Sequence, residues 1–170
     1  MFTFYKKHNN ELYNRLIKLS RNKFFYENLK LSDDFETRVL LVFFHFGIVL
    51  KIAKGTKYHK KSQEIFDNVF LNIEYHIRES GYGDIQVNKK MKTLNKIFYD
   101  ILLNLDKEKK ILFQKNTKIL EKYFFMKNNV RDNRDNKVLK LAEYLRKFQN
   151  FCFDLDINIM LNGSIDFKYR

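Results

Sequence analysis

The 170-residue chain contains no proline, no tryptophan, one cysteine and five glycines. Without proline nothing forces a break inside a helix, and no regular series of hairpin signals occurs before residue 150. These absences argue against a β-sandwich and predict an all-α bundle of about six helices, folded as a single domain over residues 1–170. The lone cysteine, Cys152, excludes an intrachain disulfide framework and fits a reducing compartment. Long hydrophobic runs are missing too. The longest, Val39 to Leu50, includes His45 and spans about 12 residues, short of the roughly 20 a bilayer-spanning helix requires, and so predicts a buried core helix. Met1 to Lys7 lack the apolar core and cleavage site of a secretory signal, and there is no lipid-anchoring motif. The expectation is a soluble or peripheral protein.

What is abundant is positive charge. Lys and Arg number 33 against 20 Asp and Glu, a formal net charge of +13, which suits an anionic partner such as nucleic acid, a ribosome or a lipid surface. The excess of Lys, Asn, Ile and Phe is also what A/T-rich codons produce irrespective of function, so part of the charge carries no functional message. Basic segments lie at 57–61 (Lys57, Lys60, Lys61), 89–96 (Lys89, Lys92, Lys96) and 107–118. Lysine dominates over arginine and no RNP-like aromatic pattern interleaves with it, which disfavours sequence-specific DNA or RNA readout and leaves a solvated face as the default.

Apolar periodicity places the helices. Leu12, Leu16 and Leu19, widened by Tyr13 and Ile17, form a helix beginning near Asn9 or Asn10. Asp33 with Glu36 reads as a D-x-x-E capping pattern opening a second helix that runs to about Lys54, where Gly55 ends it. A third helix is predicted from Tyr58 to Ser80 with Phe66, Phe70, Ile73 and Ile77 inward, and Gly81 stops it. Asp84 is then placed to cap a fourth, whose Val87, Met91, Leu94, Phe98, Ile101 and Leu105 recur in steps of four and three. A fifth is predicted over 107–127 and a sixth over 133–153, separated by the polar stretch 128–136. In the tail, Ile157, Ile159 and Leu161 alternate before Asn162-Gly163, and Ile165, Phe167 and Tyr169 alternate after it, predicting a small β-hairpin.

Few residues offer chemistry. His8, His45, His59 and His76 make no metal-binding spacing, and Cys152 has no second cysteine to join it. Asp154, Asp156 and Asn158 imitate the start of a calcium loop, but Ile159 and Ile165 stand where glycine and glutamate are required. Gly81-x-Gly83 follows a helix rather than a strand and lacks the rest of a phosphate-binding motif, so a helix–helix turn is the plainer reading. Cys152, between Phe151 and Phe153, reads as a buried structural thiol. Arg38 and His45, seven residues apart, share one face of the second helix, where they form either a polar spot inside an apolar groove or two satisfied polar groups of the bundle. Glu74 and Arg78 are spaced for an ion pair, and Asp67 extends that acidic face. No catalytic constellation and no cofactor site emerges.

Two stretches carry a resemblance. Ile77-Arg78-Glu79-Ser80-Gly81-Tyr82-Gly83-Asp84-Ile85-Gln86-Val87-Asn88-Lys89-Lys90-Met91-Lys92 resembles the L-R-E-x-G-x-G-D-x-x-V-x-K-K-x-K signature of the ubiquinol-cytochrome c chaperone family. Asp33 to Arg38, followed by His45, is similar to the family's D-T-x-x-G-R…L-H segment, and Asp67 to its F-D-x-x-F element. Tyr13 and Arg21 fit its opening helix and Phe98-Tyr99 its A-F-Y element. The likeness covers about residues 10–105; Ser32, Thr37, Asn88 and Asp100-Ile101 depart from the usual pattern. It implies a non-enzymatic assembly factor, without cofactor or haem delivery, that binds newly made cytochrome b for the cytochrome bc1 complex. The place implied is peripheral to the inner membrane on the cytoplasmic side of a bacterium, or the matrix side of a mitochondrion. Implied partners are the apolar client, a ribosome or anionic membrane surface, and a small helical protein. The residues implied to bind the client or brace its site are Asp33, Arg38, His45, Asp67, Arg78, Glu79, Gly81, Gly83, Asp84, Val87 and Lys90. On charge alone the competing reading is a basic helical RNA- or ribosome-binding protein.

Overall fold

A computed structural model describes residues 10–107, 112–113, 117–126 and 134–169, with the side chain of His59 excepted. Residues 1–9, with His8 and Asn9, most of the basic segment 107–118 and most of the polar stretch 128–136 therefore lie outside the described residues. The elements are α1 (Glu11–Ser20), a π-helical turn (Phe24–Asn28), α2 (Phe35–Ala53), α3 (His59–Glu79), α4 (Asp84–Lys107), α5 (Lys118–Leu120) running into a second π-helical turn (Glu121–Phe125), α6 (Arg134–Phe153) and α7 (Ile157–Leu161). The all-α expectation holds, with no strand among the described residues.

The run Val39–Val49 is buried without interruption, so α2 has no polar face and must be surrounded. It packs against α1, α3, α4, α6 and α7. Against α4 the contact is close because Gly47 leaves room: a Cβ there would lie 2.7 Å from Cδ1 of Leu105. Phe46 stacks on Phe98 at 5.4 Å, and Phe43 touches both Phe70 and Phe98, so one aromatic cluster ties α2, α3 and α4 together. Removing a ring at such a site, as in Phe46→Ala, costs about 3–5 kcal/mol.

Local chemistry sets the helix ends. Asn10 accepts from the Tyr13 N–H at 2.9 Å and caps α1. The cap of α2 is Asp34, which accepts from the Thr37 N–H at 2.8 Å, and not Asp33 as the capping pattern suggested. Asp33 is instead drawn to Arg38. Gly55 and Gly81 have φ of +83° and +88°, so both glycine stops act where expected. Asp84 is the first residue of α4 rather than its cap; the Val87 N–H donates to the Gly83 carbonyl.

Two other expectations are corrected. The fifth helix is not continuous over 107–127. Leu112 donates its N–H to Oε1 of Gln149, the Phe113 carbonyl accepts from Arg146, and Phe113 has a φ of +55°. Bonds from α6 thus take the backbone groups a helix would have used. The tail is not a hairpin: Ile157–Leu161 forms α7, capped by Asp156, which accepts from the N–H groups of Asn158 and Ile159. A strand would place Ile157, Ile159 and Leu161 on one side, whereas Leu161 is buried and Ile159 faces solvent. Residues 164–169 then run back across the bundle without joining an element, seating Ile165 in the core and Tyr169 on Phe24 at 4.6 Å.

Candidate functional site

The α3–α4 turn is built around Arg78. Its guanidinium donates to Glu74 at 2.9 and 2.8 Å and to the Asp84 carboxylate, so one side chain clamps the last turn of α3 to the first turn of α4. The hydrogen bonds to Asp84 and then Glu74 raise its pKa still further above the usual arginine value. The Glu74–Arg78 pair read from the spacing is present. Gly81, in the left-handed conformation, lets the chain reverse and donates its N–H to the Arg78 carbonyl at 2.9 Å.

Between two glycines, Tyr82 stands 41% exposed at the mouth of a groove of about 470 Å³. Phe35 and Leu40 of α2, Ile77 of α3, and Leu94 and Ile97 of α4 form the apolar wall. Glu36, Gln86, Lys89, Lys90 and Thr93 form the rim. Lys90 stands 4.4 Å from the centroid of the Tyr82 ring, a cation–π contact that holds the aromatic at the edge of the opening.

The sequence-predicted site residues divide. Arg78, Gly81, Gly83 and Asp84 build the turn that carries Tyr82 without lining the groove themselves, Lys90 and Lys89 lie on its rim, and Val87 is buried in the core. Glu79 is exposed at the end of α3. Asp33 and Arg38 pair with each other at 2.6 Å, a bond that raises the Arg38 pKa; neither lines the groove. Asp67 lies on the outer face of α3 and accepts from Gln63. His45 is fully buried, its Nδ1 2.7 Å from the Leu41 carbonyl and its Nε2 2.9 Å from the Tyr144 hydroxyl. The shared polar spot imagined for Arg38 and His45 does not exist: one points to the surface pair with Asp33, the other into the core. Lys60 lines a second cleft of about 530 Å³ with Lys54, Phe66 and Tyr99, while Lys57, Lys61, Lys92 and Lys96 are exposed. Motif reading missed Phe35, Leu40 and Ile97. Phe35 was recoverable as an aromatic directly after a helix cap, where the first turn faces outward.

No group of His, Cys, Asp and Glu able to hold a metal occurs among the described residues. Cys152 is buried and its thiol pushed up to about 12 by burial, which leaves it without thiolate character near neutrality. None of the described helices is long and apolar enough to cross a membrane.

The fold and the site define an all-α bundle with an open, lysine-rimmed apolar groove. The chain belongs to the ubiquinol-cytochrome c chaperone family, whose model matches residues 27–167. That match runs through the C-terminal third, well beyond the 10–105 span carrying the motifs. In fold the chain is similar to the Cbp3 homolog from Brucella abortus, with a TM-score of 0.72 and 22% identity over 94% of this chain and 87% of that one. No curated protein sequence matches it.

Proposed function

We propose that this protein binds newly synthesised cytochrome b and promotes its assembly into the cytochrome bc1 complex, working as a non-enzymatic chaperone at the cytoplasmic face of a bacterial inner membrane or its matrix-side counterpart. The observation that carries this reading is the coincidence of the family signature with the groove. Of that signature stretch, Ile77, Tyr82, Gln86, Lys89 and Lys90 line the apolar opening, while Arg78 and Asp84 pair in the turn that carries Tyr82.

A groove of about 470 Å³ takes a few large side chains rather than a whole helix. Each buried Leu- or Phe-sized side chain contributes about 1.5–3 kcal/mol, so a client held by two or three of them is retained yet releasable. Release matters for a factor that hands its client on. The rim lysines suit an acidic residue flanking the apolar segment. His45 and Cys152 are sealed in the core and line neither the groove nor its rim.

Affinity capture of the full-length protein from membranes of its source cell tests this. Cytochrome b is expected to co-purify with the wild type, to persist as salt is raised, and to be lost from Phe35→Glu, which places a charge on the exposed groove wall without touching the core. Deletion is expected to deplete the bc1 complex. Normal bc1 levels with no recovery of cytochrome b overturn the reading, and capture of ribosomal RNA that collapses with salt replaces it with the phosphate-binding alternative.

A further inference from the structure

Helix α4 has two stripes. The inner one, Val87 to Leu105, belongs to the core. The outer one comprises Ile85, Lys89, Lys92, Lys96, Tyr99 and Leu103, again in steps of four and three, and every member is exposed. At 1.5 Å per residue it is about 27 Å long. Its ends are apolar, with Ile85 86%, Tyr99 54% and Leu103 61% exposed. Its middle is three lysines.

The charges of α4 are unevenly matched. All three of its carboxylates are engaged by cations from other elements: Asp84 by Arg78, Asp100 by Lys122 and Asp106 by Lys54. Lys89, Lys92 and Lys96 form no ion pair with any described carboxylate. The acids of the helix are thus already neutralised, and the outer stripe presents positive charge bracketed by apolar side chains.

We infer that this stripe docks α4 lengthwise on an anionic membrane surface. Lysine ammonium groups meet the lipid phosphates while Ile85, Tyr99 and Leu103 enter the headgroup boundary. A nucleic-acid surface fits less well: Ile85 and Leu103 have no role against a phosphate backbone, and Tyr99 alone provides one stacking ring. Because Lys89 belongs both to the stripe and to the rim of the groove, docking brings the groove's opening to the bilayer interface. The inference goes beyond the client reading and does not require it.

The absence of tryptophan makes a clean reporter possible. In a sedimentation assay with the purified full-length protein, binding to phosphatidylcholine vesicles is expected only when phosphatidylglycerol is included. The K89Q/K92Q/K96Q variant is expected to bind such vesicles about a hundredfold more weakly, at roughly tenfold or less per lysine. The exposed pair I85S/L103S should also weaken binding. A Leu103→Trp variant should shift its fluorescence to the blue with phosphatidylglycerol vesicles and stay unshifted with poly(U). Equal binding to neutral vesicles, unchanged binding by the triple variant, or an unshifted Leu103→Trp emission on acidic vesicles overturns the inference. Poly(U) displacing the protein from vesicles through the same lysines reassigns the stripe to nucleic acid. No cytochrome b is present in these assays, so their failure leaves the client reading to its own test.

Discussion

The Tyr144 hydroxyl lies 2.9 Å from Nε2 of His45 across 99 residues of sequence. Nδ1 of the same ring faces the Leu41 carbonyl at 2.7 Å, and a carbonyl can only accept. Nδ1 therefore carries the proton, Nε2 is the acceptor and Tyr144 is the donor. The neutral imidazole is fully satisfied between α2 and α6, packed edge-on by Phe25, Phe148 and Tyr144.

That arrangement sets an acid limit. Burial holds His45 near 4, below its ordinary 6.5, with the Leu41 bond opposing the shift only in part. Between these values the unfolded chain takes up a proton that the folded one refuses, so stability falls as pH drops from about 6.5 to about 4 and this loss then levels off. The whole effect is about 3 kcal/mol. Urea unfolding at a series of pH values should show the slope for the wild type and a flatter profile for His45→Phe. Parallel profiles would reject His45 as its source.

Two glycines with nearly the same φ should respond differently to alanine. Gly163, at +86°, sits so close to α1 that an added Cβ would lie 2.6 Å from the backbone of Glu11 and Leu12. Gly55, at +83°, faces open space. Gly55→Ala is expected to cost about 1–2 kcal/mol from conformation alone, and Gly163→Ala a further 1–3 kcal/mol as the tail is forced off α1. Equal midpoints in urea for the two variants would contradict this.

Neighbouring aspartates at the start of α2 separate a cap from a surface pair. Asp34→Ala removes the acceptor for the Thr37 N–H and should lower stability by about 1 kcal/mol. Asp33→Ala loses an exposed ion pair with Arg38 and should change it by less than about 1 kcal/mol. Thermal melts of the two single variants, with salt as a second variable, give the ordering; the Asp33 effect should fade further with salt than the Asp34 effect, whose hydrogen bond to the Thr37 N–H remains.

Much of the bundle was readable beforehand because its signals are local. The leucine stripe of α1, the apolar run of α2 and the two-step pattern of α4 each name their buried face, and Gly55 and Gly81 fall at the left-handed positions that end α2 and α3. The misreadings arose where distant residues decide. Gln149 and Arg146 take the backbone groups of Leu112 and Phe113, and no local pattern announces them. In the tail a two-residue alternation and a short helix share Ile157 and Leu161, and the Asp156 cap resolves them. The site was half legible for the same reason. The motif placed the Arg78 turn, but the groove wall joins Phe35 and Leu40 to Ile97, and such a surface exists only after folding. His45 could not be assigned to the core until Tyr144 arrived opposite it.

The thiol offers an independent check on the packing of α6. Cys152 is buried, with its pKa pushed up to about 12 by burial. A maleimide reagent near neutral pH should leave the native protein unmodified over the time in which the urea-unfolded chain is fully labelled, as mass spectrometry would show. Rapid labelling of the native state would mean that α6 opens readily.

The contact of Gly163 with the backbone of Glu11 and Leu12, reinforced by Arg15 donating to the Gly163 carbonyl, also bears on when the bundle can close during synthesis. Helix α1 leaves a ribosome about 150 residues before Gly163 does. That flank of the bundle therefore cannot close until Gly163 has emerged. A nascent chain must keep the flank of α1 uncovered through the production of some 150 intervening residues, a long-range closure of the kind that slows folding. A member of a chaperone family thus passes, during its own synthesis, through an incompletely covered state.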